Sequence, residues 1–244
     1  MAGSALRSSD EIPGPILVVA AHPDDIEVHC GGTLAQFVGQ GKRLSCVVCT
    51  SGNRGTDDPN VTMQEIGARR EREQRAASDI VGVKDLTFLR HDDGDLAFIV
   101  PQLREEIVRI IREVRPRTVI THDPYPGDGG GDSCSIYPDH TTVGLVTFQS
   151  AFVCAPGPLF YPGHLREGLQ PHKPESLYLV MSANPSVFVD ITETWPTKQV
   201  AIRQHQSQGR ATPECDREMT RINGENGQRA GVQFAEAFRI LLPS

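Results

Sequence analysis

Residues Ile16–Ala21 read ILVVAA, an apolar run with no polar alternation. A strand with one wet face alternates polar and apolar residues, so an unbroken run describes a strand buried on both faces. Such a strand needs helices above and below its sheet. The chain supplies them: Thr33–Gly39 reads as a helix and Leu44–Thr50 as a second buried strand. Residues 63–80 carry charges at helical spacing, and Val81-Gly82 stops that helix. Leu86–Leu89 follows as a strand, Gln102–Val114 as an amphipathic helix and Thr118–Thr121 as a further strand. This β-α-β-α-β-α-β order predicts an α/β fold built on an open, mostly parallel sheet.

The second half is less regular. Residues 123–139 are too rich in Gly and Pro for a regular element, and a helix is expected over 140–153. A Pro/Gly-rich stretch covers 156–174. Ser176–Met181 and Val187–Ile191 read as strands, 194–206 as helix, and 229–242 as a closing helix or helix–strand piece. No repeat or linker divides the chain, so one domain over 1–244 is expected, with 1–14 as a flexible segment.

Composition narrows the partners. The chain has 31 acidic and 24 basic residues, a net charge of −7, which argues against a broad basic face for nucleic acid or an anionic membrane. No apolar run reaches the length of a membrane span. The start, MAGSALRSSDEIPGP, lacks the apolar core of a signal peptide, so a cytoplasmic location is expected. Cys46 and Cys49 form a C-x-x-C, but residues three apart on a strand face opposite sides of the sheet, which disfavours a shared redox or metal role.

In open α/β sheets, ligands bind at the carboxyl ends of the strands. The first long strand ends in Ala20-Ala21-His22-Pro23-Asp24-Asp25-Ile26-Glu27, with four ionisable groups in six residues. The following Gly31-Gly32 lacks the G-x-G-x-x-G pattern of a dinucleotide loop, which weakens any nucleotide-binding reading. An imidazole with two carboxylates suits a divalent cation: His22 and Asp25 can converge on one ion, leaving Asp24 as a base. The competing structural reading makes Asp24 or Asp25 a helix N-cap. A third ligand must come from another strand end, and either His122 or His140 could supply it.

AHPDDIEVHCGGTLA resembles the A-H-P-D-D-x-E-x-G-x-G-G-T signature of the PIG-L/LmbE-like zinc-dependent N-deacetylases. Weaker matches follow in order: GARREREQRAASDIVGV, DDGDL at 92–96, THDP…YPDHTTVG at 121–144, VDIT…K at 189–198, HQSQ at 205–208 and FAEAFR at 234–239. The resemblance implies a Rossmann-like three-layer sandwich and one zinc per chain, held by His22, Asp25 and His140. It implies Asp24 as general base, and Arg70, Asp93 and His205 as substrate-binding residues. Read without it, Arg70 lies in a solvated charge run, Asp93 in a turn, and His205 on a helix.

The implied substrate is a small N-acetylated amino sugar or its conjugate, and the implied assembly is a homo-oligomer, with a hexamer of paired trimers the form expected. One departure stands out: Tyr137 occupies the place of the family's first histidine in H-P-D-H. A phenol can donate to an oxyanion, but with a reference pKa near 10 it is a poorer acid than imidazole. His122, His164 or His205 are then candidates for protonating the leaving amine. The alternatives are a zinc amidase for another N-acyl substrate, or a zinc-binding protein of weak or no activity.

Overall fold

The computed structural model describes residues 5–125 and 137–243. Among them, eight strands form one sheet: β1 (Ala5–Arg7), β2 (Ile16–Ala20), β3 (Leu44–Thr50), β4 (Asp85–His91), β5 (Thr118–His122), β6 (Ser176–Val180), β7 (Val187–Asp190) and β8 (Ala235–Leu241). Their order is β1-β7-β8-β6-β5-β2-β3-β4. All pairings are parallel except those of β8, which runs antiparallel to both β6 and β7. From β2 the chain steps outward to β3 and β4, then returns to the other side of β2 for β5. The gap between the carboxyl ends of β2 and β5 is therefore the switch point where such sheets bind ligands.

Among the described residues, seven α-helices complete the layers: α1 (Asp25–Gly39), α2 (Met63–Val81), α3 (Val100–Val114), α4 (Pro138–Gln149), α5 (Pro162–Arg166), α6 (Trp195–Ile202) and α7 (Pro213–Ala230). Alternate residues of β2 enter opposite cores. Ile16, Val18 and Ala20 pack with Leu34 and Phe37 of α1, Ala77 of α2 and Ala201 of α6, whereas Leu17 and Val19 pack with Leu103 and Ile107 of α3 and Val143 of α4. The expected three-layer sandwich is observed. Cys46 faces the first core and Cys49 the second, as strand geometry requires.

Several boundaries differ from expectation. The first helix begins at Asp25 and not Thr33, because Gly31 and Gly32 do not interrupt it. At Gly32 a Cβ would lie 2.8 Å from Cβ of Ile191, so this glycine permits close helix packing. The helix expected over 140–153 starts at Pro138 and ends in a π-helical turn, Ser150–Cys154. Segment 194–206 divides into α6 and a 3-10 turn, Gln206–Gln208. Within 229–242 the regular element is a strand, β8, and α7 before it was not foreseen. Its buried stripe is Met219, Asn223 and Gly227, which has helical spacing but little apolar signal.

The segment expected to be flexible over 1–14 is, from Ala5 onward, packed on the domain: β1 pairs with β7 and Ile12 is buried. The Gly-rich run 127–135, including Cys134, lies outside the described residues. Among the described residues, no helix is long and apolar enough to cross a membrane.

Candidate active site

The β2–α1 junction turns sharply enough to gather its polar side chains at one point. Pro23 ends strand pairing, and Asp24 takes φ = 107°, a conformation rarely adopted by residues other than glycine. Asp25 reaches back to accept from the His22 amide at 2.8 Å. The junction is moored to both neighbouring strands. Ala21 donates its N–H to His122 Nε2 at the end of β5 (3.1 Å), and its carbonyl accepts from Thr50 Oγ1 at the end of β3 (2.9 Å).

His140 enters from the first turn of α4. Its Nε2 lies 3.1 Å from His22 Nδ1 and 3.2 Å from Asp25 Oδ1, while His22 Nδ1 lies 3.6 Å from Asp25 Oδ2. Bonds of about 2.0–2.2 Å place the ligand atoms of a tetrahedral zinc about 3.3–3.6 Å apart. The separations of 3.1–3.6 Å lie close to that spacing, those to Asp25 being to its two different oxygens, and His22, Asp25 and His140 form a grouping able to hold a metal ion. His22 Nε2 faces away from this point toward Asp93 Oδ1 (3.1 Å) and Asp139 Oδ2 (3.3 Å). Carboxylates accepting from the far nitrogen fix the ring's orientation and leave Nδ1 free to ligate.

The electrostatics also suit a cation. Burial disfavours charge on His22, yet Asp139, Asp25 and Asp93 outweigh it and raise its pKa well above the ordinary imidazole value. Burial likewise opposes ionisation of Asp25, but His140 and His122 prevail and hold its pKa well below the usual carboxylate value. For His29 and His122 burial dominates and lowers the pKa of each imidazole.

A cavity of about 500 Å³ opens over this cluster. Asp24, Arg70, Asp93 and Tyr137 all line it, as does an apolar wall of Val28, Met181, Met219 and Ile222. Tyr137 caps α4 at the rim, half exposed, its ring centroid 5.0 Å from that of His140. Arg70 is buried and braced: it donates to Pro23 O (2.7 Å) and Gly52 O (3.1 Å) and lies 3.4 Å from Asp24 Oδ1. Gly52 allows this approach, since a Cβ there would lie 2.4 Å from an Arg70 nitrogen.

The structure overturns the placement of His205 in the pocket. It is 0% exposed, and its Nε2 meets Glu27 Oε2 at 3.1 Å behind the cavity wall. The position of the motif in the chain could not reveal which way the ring turns. His164 is also remote, buried against Tyr161 on the α3 side, where it cannot protonate a leaving group. His122 lies at the site but is buried beneath His140, the two rings stacked 4.1 Å apart.

Four site residues were not singled out from the sequence. Asp139 accepts from the amides of Gly94 (2.6 Å) and Leu96 (3.3 Å), tying the Asp93 turn to α4; its signal was its place beside His140. Glu27 stood in the first motif without a role. Gln74 and Arg210 carried no sequence signal.

The family profile described as PIG-L, GlcNAc-PI de-N-acetylase, matches residues 17–151, more than half of the chain. The chain belongs to the PIG-L family. Diacetylchitobiose deacetylase from Thermococcus kodakarensis is 32% identical over 232 residues, covering 93% of this chain and 82% of that protein. A 1D-myo-inositol 2-acetamido-2-deoxy-alpha-D-glucopyranoside deacetylase from Streptomyces scabiei is 30% identical over 171 residues, covering 60% of this chain and 50% of that protein. The solved N,N'-diacetylchitobiose deacetylase from Pyrococcus horikoshii, complexed with an inhibitor, superposes with a TM-score of 0.85 at 28% identity. That alignment covers 93% of this chain and 83% of that one. The α/β sandwich of this PIG-L family member is thus shared with the Pyrococcus horikoshii enzyme over nearly its whole length.

Proposed function

We propose that this chain is a zinc-dependent hydrolase that removes the acetyl group from an N-acetylglucosamine-type amino sugar or glycoconjugate. The observation that carries the reading is the convergence of His22 Nδ1, Asp25 and His140 Nε2 at the spacing of a tetrahedral cation, with Asp24 beside them in an open cavity. Zinc held by these three would supply a Lewis acid and a water of lowered pKa. Asp24 takes the proton from the water that attacks the amide carbonyl, and its carboxylate faces the same cavity. Tyr137, at the cavity rim, donates a hydrogen bond to the oxyanion that develops in the tetrahedral transition state. Arg70 and Asp93, on the adjoining wall, hold the hydroxyls of the sugar. The proton for the departing amine returns from Asp24, since His164 and His205 lie outside the cavity and His122 is buried beneath His140.

The reading treats residues 1–244 as one catalytic domain acting in the cytoplasm as a homo-oligomer; the family resemblance supports the oligomer, and sedimentation of the purified protein tests it. Acetate release from N-acetylglucosamine, N,N'-diacetylchitobiose and glucosaminyl conjugates, with zinc supplied, tests the activity. Asp24→Asn should abolish turnover and keep the bound zinc. Near-wild-type turnover by that variant would show that Asp24 is not the base.

A second reading, a zinc-binding protein without turnover, draws on one observation: Tyr137 stands where the family has histidine. It predicts zinc binding together with no acetate release from the same panel.

A further inference from the structure

The segment His205–Arg210 (HQSQGR) lies behind and beside the cavity, and nothing in the proposed chemistry uses it directly. We infer that it is a positioning unit for Asp24, holding the carboxylate through Arg210 and the backbone through His205. The inference rests on the reading of Asp24 as the base.

Asp24 needs such support. Its φ of 107° is strained for a residue with a side chain and persists only where surrounding contacts impose it. One contact is at the amide: Asp24 N–H donates to Gln74 Oε1 at 2.9 Å. Gln74 could present either end of its side-chain amide. Its Nε2, however, donates to both oxygens of Glu27, at 2.8 and 2.9 Å. A carboxylate offers only acceptors, so the NH2 must face Glu27 and the oxygen must face Asp24. Glu27 is held in turn by His205 Nε2 at 3.1 Å. Gln74, Glu27 and His205 are each 0% exposed, so no water competes for these bonds.

The second contact is at the carboxylate. Arg210 places Nε at 2.9 Å and an Nη at 2.8 Å from Asp24 Oδ2, while Arg70 lies on the other oxygen. Two guanidiniums gripping opposite oxygens fix the rotation of the carboxylate as well as its place.

Both supports leave from one braced turn. The Arg210 amide donates to His205 O (3.2 Å), and Gly209 closes the turn at φ = 65°. Ser207 donates to Glu73 from its amide (3.0 Å) and its hydroxyl (2.6 Å), and Gln208 Nε2 donates to Gly55 O (2.9 Å). The turn is thus locked to α2, the helix that also carries Arg70 and Gln74.

Arg210→Ala tests the proposal by kinetics and by crystallography, with Arg203→Ala, which breaks an exposed pair with Asp216, as the control. The expected result is a fall in kcat of about 100-fold, the cost of a small misplacement of a reacting group, with KM and bound zinc unchanged. The variant structure should show the Asp24 carboxylate rotated from its wild-type position. A raised KM with unchanged kcat overturns the proposal, because Arg210 would then be a substrate contact. An unmoved Asp24 carboxylate overturns it whatever the kinetics. In the His205 arm, His205→Gln keeps a donor to Glu27 and should retain more kcat than His205→Leu; the reverse order overturns that arm. If the wild-type protein releases no acetate from any substrate, the deacetylase reading fails, and the Asp24 position in the variant still decides the role of Arg210.

Discussion

Replacement of Gly144 by alanine should weaken cation binding through helix position alone. Gly144 lies one turn after His140 on the same face of α4, where the helix rests directly on the end of β5. An added Cβ would lie 2.4 Å from His122 O and 2.9 Å from Pro124 N, both backbone atoms that cannot rotate away. A comfortable carbon–oxygen contact is about 3.3 Å, so relative to the 2.4 Å available α4 must retreat by about 0.9 Å. Metal sites tolerate about 0.2 Å of error in ligand distance. His140 therefore loses its place relative to His22 and Asp25, although no ligand has been changed. Affinity should fall by about 10–100-fold, the loss typical of a disturbed outer shell. Overpacking of this kind costs about 1–3 kcal/mol, and at about 2–4 °C per kcal/mol for a chain of this size the melting temperature should drop by roughly 2–12 °C. Titration of the metal-free protein with zinc against a competing chelator reads the first effect, and calorimetry the second. Zinc affinity within about twofold of wild type and a melting point within about 1 °C would refute the close packing of α4 on β5.

Other predictions follow from the same packing. Lys198→Met leaves Glu236 charged in a site where both residues are about 1% exposed. Breaking a buried pair this way costs about 3–5 kcal/mol, or roughly 6–20 °C in melting temperature, while Lys198→Met combined with Glu236→Leu should lose less than the two single changes summed. Removing the cation with a chelator should lower the melting temperature reversibly, because the binding free energy that His22, Asp25 and His140 contribute to the folded state is then lost; an unchanged melting curve would count against a cation at this cluster. Burial raises the thiol pKa of Cys46 and of Cys49, so neither should be alkylated by iodoacetamide at pH 8 until the protein unfolds. Peptide mapping after labelling reads this directly.

The layered fold was largely readable from the chain because its signals are local. An unbroken apolar run, an amphipathic helix such as Gln102–Val114 and a Val81-Gly82 helix stop each act within a few residues. Where local signals failed, burial was achieved with few apolar residues. The helix α7 buries Asn223 and Gly227 beside Met219, and β1 gains its place by pairing with a strand 182 residues away. Gly31 and Gly32 lie ahead of the helix expected from Thr33 and are instead inside α1, with Gly32 placed against Ile191.

The site divides along the same line. His22, Asp24 and Asp25 are neighbours in the chain, so the strand that ends at Ala20 and the proline after it suffice to bring them together, and the sequence alone determined this half of the centre. Which distant histidine joins them was open: His122 and His140 both stand at suitable strand or loop ends, and only the docking of α4 through Gly144 puts His140 Nε2 beside Asp25. His205 shows the converse, since a histidine inside a family-like motif turned out to face Glu27 in the interior. Arg210 and Gln74 reach Asp24 from 186 and 50 residues away. Side-chain direction across such separations depends on how helices settle on a sheet, and that packing is a property of the assembled layers, with no trace in any one stretch of chain.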